Sequence, residues 1–514
     1  MERARRKRAS SSVTVRYSYR LSSLVIAAVL VLSSCSREER LPNIVYILAD
    51  DMGSGDLSFG DSDLAVQTPN MDRLVSQGMR FTDAHSPSAV CTPTRYGVLT
   101  GRYAWRSSLK SGVLGGVDST LIEPDRQTVG SLLQQNGYHT AAVGKWHLGL
   151  NWAIKGDTTL QLDGNGWEGR SNIDYSRPVT RGAREAGFDY SWIIPSSLDI
   201  MPYYYLENNE VVDGREGYTE GKYQEEYGRG IFWRHGEMSP SFVHENVLDT
   251  FIDKATEYIT SRSEVDQPFF LYVPLSAPHT PWLPTDSNVG SSNAGTYGDF
   301  VQQVDRGVGR ITDTLSRLGL EENTLVIVTS DNGADWNEND KASFDHLANL
   351  DYKGRKADIW EAGHRVPFVV RWPGTVAAGS ESDALISLTD LMATLANLVG
   401  ADLGENAAED SFDILPILKG SSAEVQGRET IVHHSLRGMF AIRKGEWKLV
   451  LGRGSGGFTQ PVRYEPQEGE PVGQLYNIAT DPRETANLYQ ERPEVVEELS
   501  ELLDQYRNSG RSVR

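Results

Sequence analysis

Hydrophobic residues in this chain fall into short continuous runs that end at polar or turn-forming residues. Such runs lie at 44–49, 140–143, 269–273, 325–329 and 368–370, and helix-like stretches such as 127–135 and 301–318 lie between them. Strands that are apolar on both faces and alternate with helices are typical of parallel sheets covered by helices. The pattern therefore predicts an α/β fold built on a large, mostly parallel sheet sandwiched by helices.

The pattern changes beyond about residue 421. Residues 439–450 predict a β-hairpin that turns at Lys444-Gly445, and 494–506 predict an amphipathic terminal helix. We therefore expect a catalytic domain at 35–420 and a smaller C-terminal α+β subdomain of antiparallel strands and a terminal helix at 421–514. The stretch 151–238 is rich in Trp, Tyr, Gly and Arg without periodicity, which predicts long loops over the working edge of the sheet.

The first 34 residues have the features of an export signal. Basic residues up to Arg20 precede an apolar run at 21–32, which is shorter than the roughly 20 residues that span a bilayer. The sequence Leu32-Ser33-Ser34-Cys35 follows and resembles a bacterial lipobox. We expect a lipoprotein signal peptide at 1–34 and a membrane anchor through lipid on Cys35, which would make this an exported bacterial lipoprotein of the periplasm, outer membrane or cell surface. A simple cleaved signal peptide is the alternative.

Charge and cysteine content narrow the possible partners. The 514 residues carry a formal net charge of −20, which disfavours nucleic acid as a partner, so an anionic substrate would need a local cluster of cations. The chain has two cysteines. If Cys35 is lipidated, Cys91 has no disulfide partner, and a lone thiol in an oxidising compartment needs a special reason.

Oxygen-bearing side chains follow two of the predicted strands. Asp50-Asp51 ends the run at 44–49, and Asp331-Asn332 ends the run at 325–329. Functional groups of α/β folds gather at the carboxyl ends of strands, and four oxygen ligands without a Cys or His cluster favour Ca²⁺ over a transition metal. The alternative is that these residues only terminate strands and cap helices.

The sequence Cys91-Thr92-Pro93-Thr94-Arg95, followed by Thr100-Gly101-Arg102, resembles the signature of the type I, formylglycine-dependent sulfatases, in the arylsulfatase A and N-acetylgalactosamine-6-sulfatase branch. The resemblance implies an alkaline-phosphatase-like fold and oxidation of Cys91 to Cα-formylglycine by a formylglycine-generating or anaerobic sulfatase-maturing enzyme. It also implies a calcium site. The implied metal ligands are Asp50, Asp51, Asp331, Asn332 and the modified Cys91.

Further positions of the same family are matched in order along the chain. They are Lys145 and His147 in Lys145-Trp146-His147, His279 after Ser276-Ala277-Pro278, and Lys356. The resemblance implies that Arg95 steadies the formylglycine, the two lysines hold the sulfate group, and Asp331 accepts a proton from the attacking hydroxyl. It implies that His279 is the acid for the leaving oxygen and His147 the base for eliminating sulfate.

The hypothesis is therefore an exo-acting sulfatase of a sulfated carbohydrate, with the 6-O-sulfate of galactose or N-acetylgalactosamine as a candidate. The alternatives are a phosphoester or phosphonate ester hydrolase of the same superfamily, and a non-catalytic lipoprotein that binds sulfated glycans. Weaker hypotheses place Asp358 and His364 on sugar hydroxyls. The aromatic residues Trp152, Trp167, Trp192 and Tyr203 to Tyr205 are candidate stacking platforms for sugar rings.

Overall fold

A mixed sheet forms the centre of the computed structural model, which describes residues 40–156 and 159–513. In this part of the chain the sheet has ten strands. Their order across the sheet is Ser380–Ser382, Met79–Phe81, Phe368–Arg371, Thr324–Ser330, Asn43–Ala49, Phe269–Pro274, His139–Lys145, Tyr190–Ile194, Leu206–Glu207 and Glu210–Val211. All seven residues of Asn43–Ala49 are buried, as its continuous apolar run predicts.

The middle of the sheet is parallel and brings the predicted metal ligands together. Asn43–Ala49 pairs in parallel with both Phe269–Pro274 and Thr324–Ser330, and Ala49 lies opposite Ser330. The next residues of these two strands, Asp50 and Asp331, therefore leave the sheet side by side. The predicted α/β class and the mostly parallel central sheet are confirmed.

The segment 151–238, which we predicted to form long loops, contains several strands. Tyr190–Ile194 is a strand that pairs in parallel with His139–Lys145, and four of its five residues are buried. Its run of five residues is short and is flanked by irregular sequence, so periodicity alone did not separate it from its surroundings. Short antiparallel pairs occupy other parts of the segment: Leu162–Asp163 with Arg170–Ser171, Leu206–Glu207 with Glu210–Val211, and Tyr218–Thr219 with Gly236–Glu237.

Helices pack against the sheet and against each other. The described α-helices are Pro69–Gln77, Cys91–Thr100, Val129–Gln135, Gln224–Tyr227, Val247–Arg262, Gly295–Arg317, Glu338–Ser343, Glu361–His364, Leu391–Val399, Leu415–Leu418 and Pro493–Ser509. The long helices Val247–Arg262 and Gly295–Arg317 pack together, and Leu391–Val399 contacts Cys91–Thr100. The helix that begins at Cys91 is therefore held in place by tertiary contacts.

A four-stranded antiparallel sheet and a terminal helix follow, as predicted. Its strands are Thr430–His434, Phe440–Lys444, Trp447–Val450 and Gln474–Asn477, and the helix is Pro493–Ser509. Its core includes Leu449, Leu475 and Leu503, together with Tyr103 and Trp105 from the main part of the chain. Residues 42–514 form one compact unit. The boundary at residue 420 remains a prediction.

The proposed leader lies outside the described residues. The signal peptide at 1–34 and the lipidated Cys35 therefore stay predictions. Among the residues that the structure describes, no helix combines the length and the apolar character needed to cross a membrane.

Candidate active site

Cys91 is the first residue of the helix Cys91–Thr100, and all ten residues of this helix are buried. Its side chain is 2% exposed. The helix ends at Gly101, whose φ of 63° lies in the left-handed region, and a Cβ there would approach Met392 and Ser411 to within 3 Å. The glycine of the Thr100-Gly101-Arg102 motif therefore closes the helix against its neighbours, which fixes the helix that carries Cys91.

Arg95 lies one turn beyond Cys91 and joins three strand ends. Its Nε donates to Asp331 Oδ2 at 2.9 Å, and its terminal nitrogens donate to the carbonyls of Lys145 at 2.8 Å and Leu275 at 3.2 Å. The side chain is fully buried. Burial opposes its charge, but Asp331 and Asp50 outweigh burial and raise the pKa of Arg95. The structure thus places Arg95 behind the site, where it braces the strand ends that carry the acids.

Three carboxylates meet at the carboxyl ends of the central strands. Asp50, Asp51 and Asp331 each offer an oxygen, and these oxygens lie within 4.8 Å of one another. Asn332 Nδ2 donates to Asp51 Oδ1 at 2.6 Å, while Asn332 Oδ1 and Asp50 Oδ1 are buried with no hydrogen-bond partner. Burial, followed by the charge of Asp50, raises the pKa of Asp331 to about 7. Clustered acids with unpartnered oxygens fit a hard divalent cation such as Ca²⁺.

Two lysines and a histidine surround these acids. Lys145 Nζ lies 2.5 Å from Asp50 Oδ2, Lys356 Nζ lies 2.8 Å from Asp51 Oδ2, and His279 Nε2 lies 3.8 Å from the same Asp51 oxygen. Burial disfavours the charge of Asp50, but Lys145 and its neighbours outweigh burial and hold the pKa of Asp50 well below its usual range. The site therefore combines fixed cations with acids, as the binding of an anion beside a metal requires.

A cavity of about 440 Å³ opens onto part of this cluster. Cys91, Asp51, His147, His279 and Lys356 line it. The other predicted site residues, Asp50, Arg95, Lys145, Asp331 and Asn332, lie behind them and hold or neutralise them. The residues predicted from the sequence thus form one site with two layers. The first layer lines the cavity, and the second lies behind it.

His147 is oriented by a backbone carbonyl. Its Nε2 lies 2.8 Å from Leu114 O, and its Nδ1 is buried without a partner. Because a carbonyl only accepts, Nε2 carries the hydrogen and Nδ1 keeps a free lone pair. Burial, and then the charge of Lys145, hold the pKa of His147 well below its usual value. His147 is therefore neutral and able to accept a proton at Nδ1.

Three residues around the site have left-handed backbone conformations. They are Asp51 with φ 65°, His147 with φ 53° and Ala357, next to Lys356, with φ 77°. Non-glycine residues rarely adopt this region, and each such residue costs about 1–3 kcal/mol unless its surroundings hold it there. The surrounding fold therefore imposes the directions of these three segments.

Several charged residues of the cavity were missed in the sequence. Asp199 and Arg234 form an ion pair of 2.6 Å on its wall, and Asp335 pairs with Arg355 at 2.6 Å. Arg229 lines the same wall. Asp199, Arg229 and Arg234 come from the aperiodic segment, where periodicity carries no information. The only available signal was the density of charged and aromatic residues in a long connection.

Most of the predicted sugar-stacking residues pack inside the protein. Trp167 lines the cavity, but the others do not. Trp152 is 8% exposed and donates to Gly116 O at 3.0 Å, and Tyr204 stacks on Tyr175 with ring centroids 4.1 Å apart. Trp192, Tyr203 and Tyr205 also contact neighbouring rings or cations. For these residues the stacking prediction is wrong, because packing uses their ring faces.

The prediction that Asp358 and His364 touch sugar hydroxyls is also wrong. Both side chains are fully buried. Asp358 accepts hydrogen bonds from the backbone nitrogens of Phe458 at 2.8 Å and Arg355 at 3.0 Å, so it joins two loops. His364 stacks on His433 with ring centroids 3.8 Å apart.

Comparison with known proteins shows that the chain is similar to sulfatases. Residues 42–401 match the family model described as sulfatase, and residues 355–509 match that of the N-sulphoglucosamine sulphohydrolase C-terminal region. An N-acetylgalactosamine-6-O-sulfatase of Bacteroides thetaiotaomicron is 36% identical over 500 residues, covering 90% of this chain and 92% of the relative. Human arylsulfatase A is 30% identical over 487 residues, covering 90% and 87%.

A solved sulfatase structure is also similar to this chain. A 6S-sulfatase from work on glycosaminoglycan metabolism by Bacteroides thetaiotaomicron superposes with a TM-score of 0.78 at 34% identity, covering 91% of this chain and 99% of that one. The match to the family model extends from the first central strand past Lys356 and so contains every predicted site residue. The chain belongs to the sulfatase family and is a sulfuric ester hydrolase.

Proposed function

We propose that this sulfatase removes a sulfate ester from a carbohydrate, and that the leading candidate is the 6-O-sulfate of N-acetylgalactosamine. The observation that carries the proposal is the composition of the catalytic cavity. Cys91, Lys356 and His279 line it together with Asp199 and Arg234, which form an ion pair. Ionised hydrogen-bonding groups on the wall suit a polyhydroxylated ring. The 36% identical relative from Bacteroides thetaiotaomicron, named for this sulfate ester, supports the same choice.

The proposal includes two groups that the site residues fit. A calcium ion would be held by Asp50, Asp51, Asp331 and Asn332, two of which have buried oxygens without partners. Calcium would polarise a sulfate oxygen, and a hydrated formylglycine formed from Cys91 would supply one hydroxyl to attack sulfur and a second to expel sulfate. A group formed at Cys91 would lie beside the proposed metal, because Cys91 Sγ lies within 4.8 Å of ligand atoms of Asp50 and His279.

The protein's own residues would position the ester and move protons. Lys356 Nζ faces the cavity beside Cys91 and would bind the sulfate oxygens. His279 Nδ1 donates a hydrogen bond to the carbonyl of Thr280, and Nε2, which lies 3.8 Å from Asp51 Oδ2, remains directed to other partners. His279 would therefore protonate the leaving oxygen. His147, with its free Nδ1 lone pair, would accept the proton released when sulfate leaves.

Cys91→Ala tests the chemical core of the proposal. The protein is produced with a maturing enzyme, and conversion of Cys91 lowers the mass of its peptide by about 18 Da. Sulfate release from N-acetylgalactosamine 6-sulfate should fall at least about a thousandfold in Cys91→Ala, since nucleophile loss removes the covalent route. An equal loss on chelation, reversed by Ca²⁺, is expected. Preferred turnover of phosphate esters would instead support the phosphoester alternative, and full activity with an unmodified Cys91 would contradict the proposal.

Asp199→Asn tests the proposal that the cavity recognises a carbohydrate. Asp199 pairs with Arg234, and despite its burial the nearby His279 and Arg234 lower its pKa to about 2, so it is ionised and accepts hydrogen bonds. Loss of a charged hydrogen bond to a hydroxyl should raise KM for the sugar sulfate about tenfold and leave turnover of a small aryl sulfate within about twofold. Asp213→Asn, which alters an exposed pair with Arg215, is the matched control. Equal effects on both substrates would argue against sugar recognition by Asp199.

Export as a lipoprotein anchored through Cys35 is part of the same proposal. It rests on the basic and apolar leader and on the sequence Leu32-Ser33-Ser34-Cys35. Metabolic labelling with palmitate should tag the wild-type protein and not Cys35→Ser, and fractionation should find the wild type with membranes. Release of an unlabelled wild-type protein into the soluble fraction would support a simple cleaved signal instead.

A further inference from the structure

A second and larger cavity lies beside the catalytic one. Its volume is about 1100 Å³, and the two cavities share Arg355 and Phe458 in their linings. Arg355 directly precedes Lys356, which faces the catalytic cavity. Because pockets of about 300–1,000 Å³ hold drug-sized ligands, this groove has room for more than one sugar ring. The catalytic cavity therefore continues into an open groove.

The loops at the junction are held firmly together. Buried Asp358 accepts the backbone N–H groups of Phe458 at 2.8 Å and Arg355 at 3.0 Å. Phe458 remains 39% exposed at the border between the two cavities, and the Arg355 guanidinium lies 5.4 Å from its ring centroid. A fixed, exposed aromatic ring at such a junction is a suitable surface for a sugar ring that leaves the catalytic cavity.

The groove carries an excess of cations in an otherwise acidic chain. Its cationic lining residues are Lys341, Lys353, Arg355, Arg453 and Arg483, and its acidic ones are Glu338, Asp351 and Glu484. Buried Glu484 pairs with Lys448, and three of the cations are paired with acids: Lys341 with Glu338, Arg355 with Asp335 and Arg483 with Asp351. Lys353 and Arg453 instead donate to the carbonyls of Glu484 at 2.9 Å and Pro471 at 3.1 Å, and among the described residues neither forms an ion pair. The whole chain has a formal charge of −20. Two cations without an ion-pair partner, in a chain that is acidic as a whole, favour an anionic occupant.

Aromatic rings accompany these cations. Arg453 lies 5.1 Å from the ring centroid of Tyr464, and Lys353 lies 4.3 Å from that of Trp360. Arg453 and Tyr464 are only half-buried, so both remain accessible in the groove. Aromatic faces bind sugar rings and guanidinium groups bind carboxylates or sulfates, which are the two groups that alternate in an acidic polysaccharide.

We infer that this groove binds the part of an anionic oligosaccharide that extends beyond the sulfated sugar in the catalytic cavity. The inference rests on the proposed carbohydrate sulfatase function and adds the length and charge of the substrate. The occupant to which it commits is a glycan with carboxylates or sulfates on successive sugars. The sulfated terminal sugar would occupy the smaller cavity, and the next sugars would pass Phe458 and contact Tyr464 and Arg453.

The experiment compares substrates of increasing length. The probes are free N-acetylgalactosamine 6-sulfate and oligosaccharides of two, four and six sugars that carry the same sulfated residue at one end and alternate with hexuronic acids. For the wild type, kcat/KM should rise about tenfold or more from the monosaccharide to the tetrasaccharide, because additional contacts add binding energy. This advantage should shrink between low and high salt, since charged contacts are screened.

Two variants test whether the groove causes the higher kcat/KM for longer substrates. Arg453→Gln and Tyr464→Ala should each lower kcat/KM for the tetrasaccharide about fivefold or more, with monosaccharide turnover within about twofold. Arg310→Gln removes the same charge from a helix that lines neither cavity and should behave as the wild type on every probe. Two independent variants guard against a folding defect in one of them, and thermal unfolding of each checks this.

The outcomes separate this inference from the proposed function. If the wild type releases sulfate from none of the sugar probes, the carbohydrate assignment itself fails. If it cleaves all lengths equally, or if Arg453→Gln and Tyr464→Ala leave the tetrasaccharide unaffected, only the groove assignment is overturned. A length advantage that the two groove variants abolish and Arg310→Gln keeps supports both.

Discussion

Two buried clusters of ionisable side chains are alike in composition and differ in their access to a cavity. The catalytic cluster combines three acids, Asp50, Asp51 and Asp331, with Arg95, Lys145 and Lys356. The histidine cluster combines His85, His364 and His433 with Glu361, Glu484 and Asp83 and with Lys448, Arg365 and Arg443. Each contains three ligand atoms close enough together to hold a metal ion.

The ligand atoms of the histidine cluster are largely engaged with the protein itself. His85 Nδ1 lies 3.0 Å from His364 Nδ1, and Lys448 Nζ lies 2.9 Å from His364 Nε2. Lys448 also pairs with Glu361 at 3.0 Å, and Arg443 pairs with Asp83 at 2.8 Å. His433 Nε2 is buried without a partner, but none of the three histidines lines either cavity, so we interpret this group as a structural cluster.

The catalytic cluster leaves oxygens of Asp50 and Asn332 without partners and faces a cavity through Asp51 and Lys356. The proximity of potential ligands therefore does not by itself distinguish a binding site from a structural network. Unpartnered buried atoms occur in both clusters, so the distinguishing feature is access to a cavity. Variants that separate activity from stability test this difference directly.

The largest expected effect is on activity, in Asp331→Asn. Asn keeps the shape and a hydrogen-bond acceptor for Arg95 but removes a charge that burial and Asp50 disfavour. Activity should fall about a thousandfold because a preorganised charge is lost, while the melting temperature of the metal-free protein stays the same or rises. Sulfate release and calorimetry measure the two quantities. A large loss of thermal stability in this variant would mean that the catalytic cluster holds the fold together, as the histidine cluster does.

The opposite result is expected for Lys448→Met. This side chain is fully buried between Glu361 and Glu484, so its loss leaves uncompensated buried charges. The free energy of unfolding should fall by about 3–5 kcal/mol, whereas the folded fraction keeps activity within about threefold. Urea unfolding together with activity per folded molecule checks this. Unchanged stability combined with lost activity would move the histidine cluster into the functional site.

The smallest expected effect is a pH dependence of stability around the C-terminal sheet. Burial lowers the pKa of His434 to about 4, against about 6.5 in the unfolded chain. Between these values the unfolded state binds more protons, so the free energy of unfolding decreases as pH falls, by up to about 1.4 kcal/mol per pH unit for this histidine. In His434→Phe, the dependence of the free energy of unfolding on pH between pH 6 and 4.5 should correspond to the uptake of about one proton fewer on unfolding. An unchanged slope would show that His434 does not contribute.

The fold was predictable where burial on both faces leaves a continuous apolar run. The strands Asn43–Ala49 and Thr324–Ser330 and the C-terminal hairpin fall where the sequence placed them. The antiparallel direction of Phe368–Arg371 was not predictable, since its three-residue apolar run is the same for either direction. Tyr190–Ile194 was missed because a strand in a long aperiodic segment has too few residues to establish a period.

The proposed metal ligands Asp50, Asp51, Asp331 and Asn332 were predictable because they follow strand ends. The other proposed catalytic residues, Cys91, Arg95, Lys145, His147, His279 and Lys356, were predicted from the resemblance to the sulfatase family. Asp199 and Arg234, which line the same cavity as Cys91, were not predictable, because they lie far from the motif in sequence and approach it only through tertiary structure. Asp358 and His364 were placed wrongly for a related reason. They lie near Lys356 along the chain, but their side chains face the loop junction and the histidine cluster.

The left-handed conformations of Asp51, His147 and Ala357 have a consequence for attempts to improve this protein's heat resistance. Replacing such residues with glycine relieves local backbone cost, so a screen for stability alone would favour changes at these three positions. At Asp51 and His147 the same changes would delete side chains that face the catalytic cavity, and at Ala357 they would loosen the segment that carries Lys356. Stabilising designs should therefore hold these positions fixed.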